Sequence, residues 1–233
     1  MSHVTIGLSE IRPEAESKVR GEGVYTMHFE VPGAAHALVL RSPHPHARIR
    51  HIDASRAERL PGVFGVLTRD DFIGNDRFTP TYGPVYYDQP VVALDKVRYV
   101  GDRVAAVAAT DIDTAEEALS LIDVEYEEIP AATDLEAALA EGAPLIHGIL
   151  EPPSQGFADL KTIRPIPGTN ICNQYRLRYG NVDKGFAESD HVFEHEFTTP
   201  TTQHVAFEPY NAVAKVERGN RVTIWSSTQN PFL

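Results

Sequence analysis

The chain is poor in three features that often reveal a protein's class: cysteine, excess positive charge and long apolar runs. Its 233 residues include a single cysteine, Cys172, which excludes an internal disulfide framework and a cysteine-rich metal cage. Acidic residues outnumber basic ones by 33 to 21, a net charge of −12, so we expect neither nucleic acid nor an anionic membrane as the main partner. No apolar run approaches the length of about 20 residues that a membrane-spanning helix needs.

Targeting signals and familiar catalytic motifs are also missing from the sequence. Residues 1–23 lack the basic start and apolar stretch of a secretory signal, so we expect a cytoplasmic location. The chain has no dinucleotide-binding glycine fingerprint, P-loop, nucleophile elbow or zinc-protease helix motif. These absences argue against the commonest nucleotide-dependent and hydrolytic functions.

The patterns that are present predict an α+β fold class. Hydrophobic residues make up 42% and charged residues 23% of the chain, as is typical of a globular protein with a buried core. In the first part, strands are predicted at 24–29, 36–41, 47–53, 62–68, 91–94, 104–108 and 124–129. Helices are predicted at 54–60 and after two capping boxes, which pair Thr114 with Glu117 and Thr133 with Glu136.

A proline-rich stretch separates this part from the rest of the chain. Residues 144–168 contain five prolines, and proline disfavours helix, so we predict an extended linker. Beyond it, strands are predicted at 170–179 and 191–199, a helix at 182–188, and a hairpin from 211–217 and 221–227. We therefore predict a lead-in at 1–19, a first domain at 20–143, the linker at 144–168 and an incomplete second domain at 169–233.

Two groups of histidines invite a metal-binding interpretation. His44 and His46 stand two positions apart among prolines, and His191 and His195 share one face of a predicted strand. Each group supplies two ligands where zinc needs three or four, so we interpret them as structural and predict no metal ligands. Cys172 has no histidine or lysine beside it in the sequence and is predicted to be a small buried side chain.

Two irregular segments carry candidate binding groups. Between two predicted strands, Gln203, His204 and Glu208 place an amide, an imidazole and a carboxylate in one loop, and loops often carry function. The second segment, 74–90, is a predicted loop with four aromatic side chains, Phe78, Tyr82, Tyr86 and Tyr87. Such side chains suit either stacking on an aromatic ligand or packing against a partner surface.

Several short segments occur in an order shared with one enzyme family. In the first part they include 41–49 (RSPHPHARI), 60–63 (LPGV), 66–71 (VLTRDD) and 97–105 (VRYVGDRVA). Later ones are 180–183 (GNVD), 187–190 (AESD), 203–209 (QHVAFEP) and 225–229 (WSSTQ). Together they resemble the molybdenum-binding subunit of the xanthine dehydrogenase and aldehyde oxidase family. The resemblance implies an α/β hammerhead domain at 20–143 and the first part of an α+β molybdopterin-binding domain at 169–233.

This resemblance implies part of a molybdenum hydroxylase. Such enzymes use molybdenum-molybdopterin to hydroxylate an N-heterocycle or an aldehyde with oxygen derived from water. We expect the [2Fe–2S] clusters and FAD on partner chains, an iron–sulfur subunit and an FAD subunit, because one cysteine cannot ligate a cluster. The family's general-base glutamate is expected beyond Leu233, in the remainder of the molybdenum subunit. We therefore assign no catalytic residue and expect the isolated chain to be inactive.

The resemblance also implies which residues contact the cofactor. In the family, the loop that matches 203–209 carries a glutamine whose amide hydrogen-bonds a molybdenum ligand, which implies cofactor contacts from Gln203, His204 and Glu208. Alignment on Glu208 places the xanthine dehydrogenase glutamine at Thr202, so either Thr202 or Gln203 occupies that position. The alternative function is a non-catalytic assembly or small-molecule-binding module that retains the hammerhead fold.

Overall fold

A computed structural model describes residues 6–83, 85–148, 150, 163–219 and 221–229. The helices are α1 (Ala15–Val19), α2 (Ser55–Glu58), α3 (Ile112–Ser120), α4 (Leu135–Leu139) and α5 (Val182–Glu188). The strands are β1 (His36–Arg41), β2 (Ala47–Asp53), β3 (Val63–Leu67), β4 (Thr81–Tyr82), β5 (Gln89–Pro90), β6 (Lys96–Val97), β7 (Arg103–Ala109), β8 (Asp123–Glu128), β9 (Ala212–Glu217) and β10 (Arg221–Ser226). This mixture of helices and antiparallel sheets confirms the predicted α+β class.

The chain forms two compact units. The central unit comprises Gly33–Glu188, and the terminal unit comprises Met1–Pro32 together with Ser189–Leu233. The predicted domain boundaries are not decided by this grouping and stay predictions. Among the residues that the structure describes, every helix is too short or too polar to cross a bilayer.

Two three-stranded antiparallel sheets organise the central unit. In one sheet β7 lies between β1 and β3, and in the other β2 lies between β6 and β8. One buried apolar cluster joins both sheets to α2 and α3, and it includes Ala47, Ile49, Ile52, Ala57, Val97, Val104, Ala105, Val107, Ala118 and Ile122. Because each buried valine or isoleucine contributes about 1.5–3 kcal/mol, this cluster is the main source of stability in the central unit.

Aspartates, rather than the predicted threonines, cap two helices of the central unit. Asp111 precedes α3, and its Oδ1 accepts the Thr114 N–H at 2.8 Å. Asp134 precedes α4, and its Oδ1 accepts the Ala137 N–H at 2.7 Å. The predicted capping boxes at Thr114 and Thr133 are therefore wrong, because in each case an aspartate closer to the helix start takes the free N–H. The bond from the Thr114 N–H, with those from two threonine hydroxyls, lowers the pKa of Asp111.

Most strands predicted in the first part are confirmed, and two are wrong. The segments 36–41, 47–53, 62–68, 104–108 and 124–129 correspond to β1, β2, β3, β7 and β8. Residues 91–94 form no strand, because beyond β5 they make only isolated backbone bonds, from the Val91 N–H to the Pro80 carbonyl at 2.9 Å and from the Ala93 N–H to the Arg103 carbonyl at 2.7 Å. Residues 24–29 form a 3₁₀ turn at Thr26–His28, in which the His28 ring accepts the Tyr25 N–H at 3.2 Å. That local bond competes with strand pairing.

The predicted hairpin and the helix at 182–188 are confirmed in the second half. In the terminal unit, β9 and β10 pair antiparallel, with Val216 opposite Val222 and Val213 opposite Trp225. The alternation places Val216 and Val222 on one face of the hairpin and Val213 and Trp225 on the other. The helix corresponds to α5 of the central unit.

The strands predicted at 170–179 and 191–199 are wrong. Both segments lie in the described part of the chain, and neither has a paired strand there. Tyr175 is 81% exposed and Phe193 is 79% exposed, so their apolar sides are uncovered. An alternating segment becomes a strand only where a neighbour supplies hydrogen-bond partners.

The start of the predicted linker is fixed to the central unit. Asn170 donates from Nδ2 to the Pro144 carbonyl at 3.1 Å, and its Oδ1 accepts the Ile146 N–H at 3.0 Å. Lys96 Nζ donates to the Leu145 carbonyl at 2.9 Å. These three bonds hold the residues around 145 in place. The middle of the predicted linker, 151–162, lies outside the described residues.

Candidate functional site

The loop that carries the candidate cofactor contacts lies in the terminal unit, shortly before β9. Residues 201–207 are exposed and form neither helix nor strand, whereas Glu208 is partly buried. Its Oε1 accepts the backbone N–H of Thr26 at 3.1 Å, a contact between residues 182 positions apart. Thr26 itself is only 8% exposed. The structure thus brings an N-terminal turn to the base of the loop.

Gln203 and His204 are exposed at the other end of this loop. Within the part of the chain that the structure describes, neither side chain makes a hydrogen bond. An amide offers two N–H donors, and a neutral imidazole offers one. These N–H donors therefore fit a cofactor that presents oxygen or sulfur acceptors. The Glu208 carboxylate only accepts when ionised, and one of its oxygens is already engaged by Thr26.

Val205 gives the loop an unusual backbone conformation. Its φ is 46°, in the left-handed region that β-branched residues rarely adopt. Such conformations cost about 1–3 kcal/mol and concentrate at ligand-binding sites. Val205 is also 83% exposed, so burial of its side chain does not offset this cost. Sequence patterns gave no signal for this feature.

An aromatic stack joins the N-terminal turn to the hairpin that follows the loop. Phe29 lies against Trp225 of β10, with ring centroids 5.5 Å apart and planes inclined by 28°. With the bond from Thr26 to Glu208, this stack ties the N-terminal turn to the C-terminal end of the loop and to β10. Neither contact was predicted from the sequence, because no local pattern marks partners so distant along the chain.

His46 is occupied by structural contacts in the central unit. It is 3% exposed, and its Nδ1 lies 2.6 Å from the Pro130 carbonyl oxygen. A carbonyl only accepts, so we assign the proton to Nδ1, which leaves Nε2 to accept from Lys96 Nζ at 3.0 Å. Burial lowers the pKa of Lys96, as does the nearby Arg98. The ring of His46 therefore links Pro130 to Lys96 of β6.

The other histidines singled out in the sequence also have protein neighbours. His44 Nδ1 lies 3.4 Å from a carboxylate oxygen of Glu128. His191 and His195 each lie beside a phenylalanine ring. In the described residues, no three histidine, cysteine, aspartate or glutamate side chains are grouped so that they could hold a metal ion.

The aromatic segment at 74–90 is partly engaged by the chain itself. Arg103 donates to the Tyr82 hydroxyl at 2.5 Å, and its guanidinium lies 5.4 Å from the centre of that ring. The Tyr86 hydroxyl donates to the Cys172 carbonyl, and burial raises the pKa of Tyr86. Cys172 is exposed, so its predicted burial is wrong. Tyr82 and Tyr86 are thus less available as a stacking platform for a small molecule.

An open groove lies on the sheet β1–β7–β3. Its volume is about 420 Å³, and it is lined by Ala37, Phe64, Gly65, Val66, Leu67, Ala106, Val107 and Ala108. Small-molecule sites combine an apolar lining with a few converging polar groups. The residues that line this groove have no polar side chains. The groove therefore offers an apolar contact surface but no group that could orient a ligand or react with it.

Comparison with known proteins identifies the family of the chain. Residues 20–130 match the aldehyde oxidase and xanthine dehydrogenase α/β hammerhead domain. Residues 164–233 match the molybdopterin cofactor-binding domain, which includes the loop described above. The chain belongs to the aldehyde oxidase and xanthine dehydrogenase family. The resemblance seen in the sequence is confirmed.

Members of the aldehyde oxidase and xanthine dehydrogenase family align with nearly the whole chain. A probable xanthine dehydrogenase subunit of Bacillus subtilis is 36% identical over 96% of this chain and 27% of its own length. The nicotinate dehydrogenase large molybdopterin subunit of Eubacterium barkeri is 34% identical over 97% of this chain and 48% of its own. Quinoline 2-oxidoreductase from Pseudomonas putida 86 superposes with a TM-score of 0.76 at 31% identity, over 96% of this chain and 27% of that one. The chain therefore spans between about a quarter and a half of these relatives.

Proposed function

We propose that this chain is part of a molybdenum hydroxylase that acts on an N-heterocycle or an aldehyde with oxygen derived from water. The observation that carries the proposal is the exposed loop at 201–207, which lies inside the match to the molybdopterin cofactor-binding domain. The three relatives named above take their names from xanthine, nicotinate and quinoline. An N-heterocycle is therefore the first substrate class to test.

In this proposal, the residues of the chain orient the cofactor, and the cofactor, when bound, supplies the oxygen-transfer and redox chemistry. The Gln203 amide donates a hydrogen bond to an oxygen or sulfur atom of the cofactor, and His204 lies beside it. A neutral donor stabilises developing charge without adding a full charge of its own. Thr202 is the alternative occupant of the glutamine position, and its hydroxyl also donates.

The proposal extends to the partners of the chain. We infer that the rest of the molybdenum subunit supplies the general base, and that iron–sulfur and FAD subunits carry electrons away in a cytoplasmic complex. Two observations support these partners. The single cysteine cannot ligate a [2Fe–2S] cluster, and the names of two relatives describe them as subunits.

The test is substitution of the loop in the assembled enzyme. Removing one preorganised donor typically lowers kcat about 100- to 1,000-fold. We expect Gln203→Ala to lower kcat to this extent while assembly and molybdenum content stay normal. Thr202→Ala is the matched variant, and a loss confined to it would move the glutamine role to Thr202. Unchanged rates in both variants would remove this loop from the active site, and a complex without turnover would favour the non-catalytic alternative.

A further inference from the structure

We propose that Glu208 is a positioning residue, whose carboxylate anchors the loop bearing Gln203 and His204 to the N-terminal turn Thr26–His28. The anchor is a property of the chain alone. Its effect on turnover rests on the proposed function above. The proposal assigns to residues near the N-terminus a role in a loop about 180 positions later.

The first support is the contrast between Glu208 and the rest of its loop. Glu208 is partly buried, whereas residues 201–207 are all exposed. In the described part of the chain, the bond from Thr26 N–H to Glu208 Oε1 is the one hydrogen bond that residues 200–210 make. The loop is therefore fixed at a single polar point near its C-terminal end.

The second support is that the turn is itself held in place by hydrogen bonds and by an aromatic stack. The His28 N–H donates to the Tyr25 carbonyl at 2.9 Å, and the Phe29 N–H donates to the Thr26 carbonyl at 3.2 Å. The stack of Phe29 on Trp225 holds the same turn against β10. Thr26 is the first residue of the turn, so its N–H has no partner within the turn and needs an outside acceptor. Glu208 supplies that acceptor, and a carboxylate binds an N–H more strongly than a neutral oxygen does.

The anchor has a direct consequence for the donors in the loop. Gln203 lies five positions before Glu208, so releasing Glu208 lets the amide move relative to β9. A displacement of about 1 Å costs about 100-fold in rate when a group must meet its partner accurately. We therefore expect Glu208→Ala to lower kcat in the assembled enzyme about 10- to 100-fold. Glu208→Gln keeps an acceptor oxygen and should restore most of the rate.

The sharpest variant removes the donor and leaves Glu208 in place. Thr26→Pro deletes the N–H at the first position of a turn, where proline is well tolerated. Tyr25 is already extended, with φ −109° and ψ 163°, as a residue before proline must be. Thr26→Ala is the matched control, because it loses the same hydroxyl and keeps the N–H.

Two readouts test the proposal, and the first of them does not depend on the proposed function. In the full 233-residue chain, chymotrypsin cleavage after Phe207 should speed up in Thr26→Pro and stay unchanged in Thr26→Ala, two variants that leave the cleaved bond itself intact. The double variant Thr26→Pro/Glu208→Ala should be cleaved no faster than Glu208→Ala alone, since both substitutions remove one bond. In the assembled enzyme, Thr26→Pro and Glu208→Ala should lower kcat while molybdenum content is kept.

Other outcomes overturn the proposal. If Glu208→Ala lowers molybdenum content or kcat and Thr26→Pro does not, Glu208 contacts the cofactor directly. Unchanged cleavage in Thr26→Pro would show that the loop has no such anchor, whatever the activity. The fluorescence of Trp225, on which Phe29 stacks, checks that the turn keeps its place against β10 in Thr26→Pro. If the turn moves in that variant, the kcat and molybdenum content of Glu208→Ala test the proposal instead.

Discussion

Replacing Asp102 by alanine should destabilise the central unit more than most single substitutions do. Asp102 is 3% exposed. Its two carboxylate oxygens accept the backbone N–H groups of Arg98 at 3.0 Å and Arg103 at 2.9 Å. A hydrogen bond to a charged group contributes about 1.5–3 kcal/mol, so the two bonds together contribute about 3–6 kcal/mol. The substitution also removes the free-energy cost of burying the Asp102 charge, which offsets part of this sum. We therefore expect a loss of about 3 kcal/mol in the free energy of unfolding.

Urea unfolding followed by far-ultraviolet circular dichroism measures this loss, because the central unit holds β1–β8. Asp95→Ala is the matched control. The Asp95 carboxylate is 67% exposed and pairs with the Arg98 guanidinium at 3.2 Å, so its removal should cost less than about 1 kcal/mol. Equal losses in the two variants, or a loss below about 1 kcal/mol for Asp102→Ala, would refute the reasoning.

Three further predictions concern pH, proteolysis and metal content. Burial, together with Arg98, lowers the pKa of His147 below its usual 6.5. Below about pH 6.5 the folded chain therefore binds fewer protons than the unfolded chain, and its stability falls as pH falls. His147→Gln should therefore reduce the drop in urea midpoint between about pH 7.5 and about pH 5.5, and an equal drop would contradict this. Limited proteolysis should cut first within 144–168 and leave a core of about residues 20–143, because proline-rich backbone tends to be exposed; first cuts elsewhere would count against the linker. The isolated chain should contain no molybdenum and reduce no dye, and stoichiometric metal or turnover would disprove that expectation.

Local sequence signals were sufficient for the longer paired strands of the central unit. The segments 36–41 and 104–108 were predicted as strands because their apolar residues match paired, half-buried backbone, and they form β1 and β7. Helix starts were harder. Asp111 competes with Thr114 for the role of cap, and a capping-box pattern does not show which side chain takes the free N–H.

Structure that depends on distant partners was not predicted. The alternation at 191–199 is typical of a strand, yet pairing also requires a neighbour, which the described residues do not supply. Residues 24–29 were missed for a local reason, because the bond between Tyr25 and His28, three positions apart, folds a strand-forming composition into a turn. The polar loop with Gln203 was identified from its composition and from family resemblance. Its link to Thr26 was missed because it joins residues 182 positions apart.

Native mass spectrometry with metal analysis, on the chain purified in its natural assembly, tests the central claim most directly. We expect a complex in which this chain accompanies stoichiometric molybdenum and molybdopterin, together with subunits that carry [2Fe–2S] clusters and FAD. A chain recovered only in assemblies that contain neither molybdenum nor molybdopterin would contradict the account.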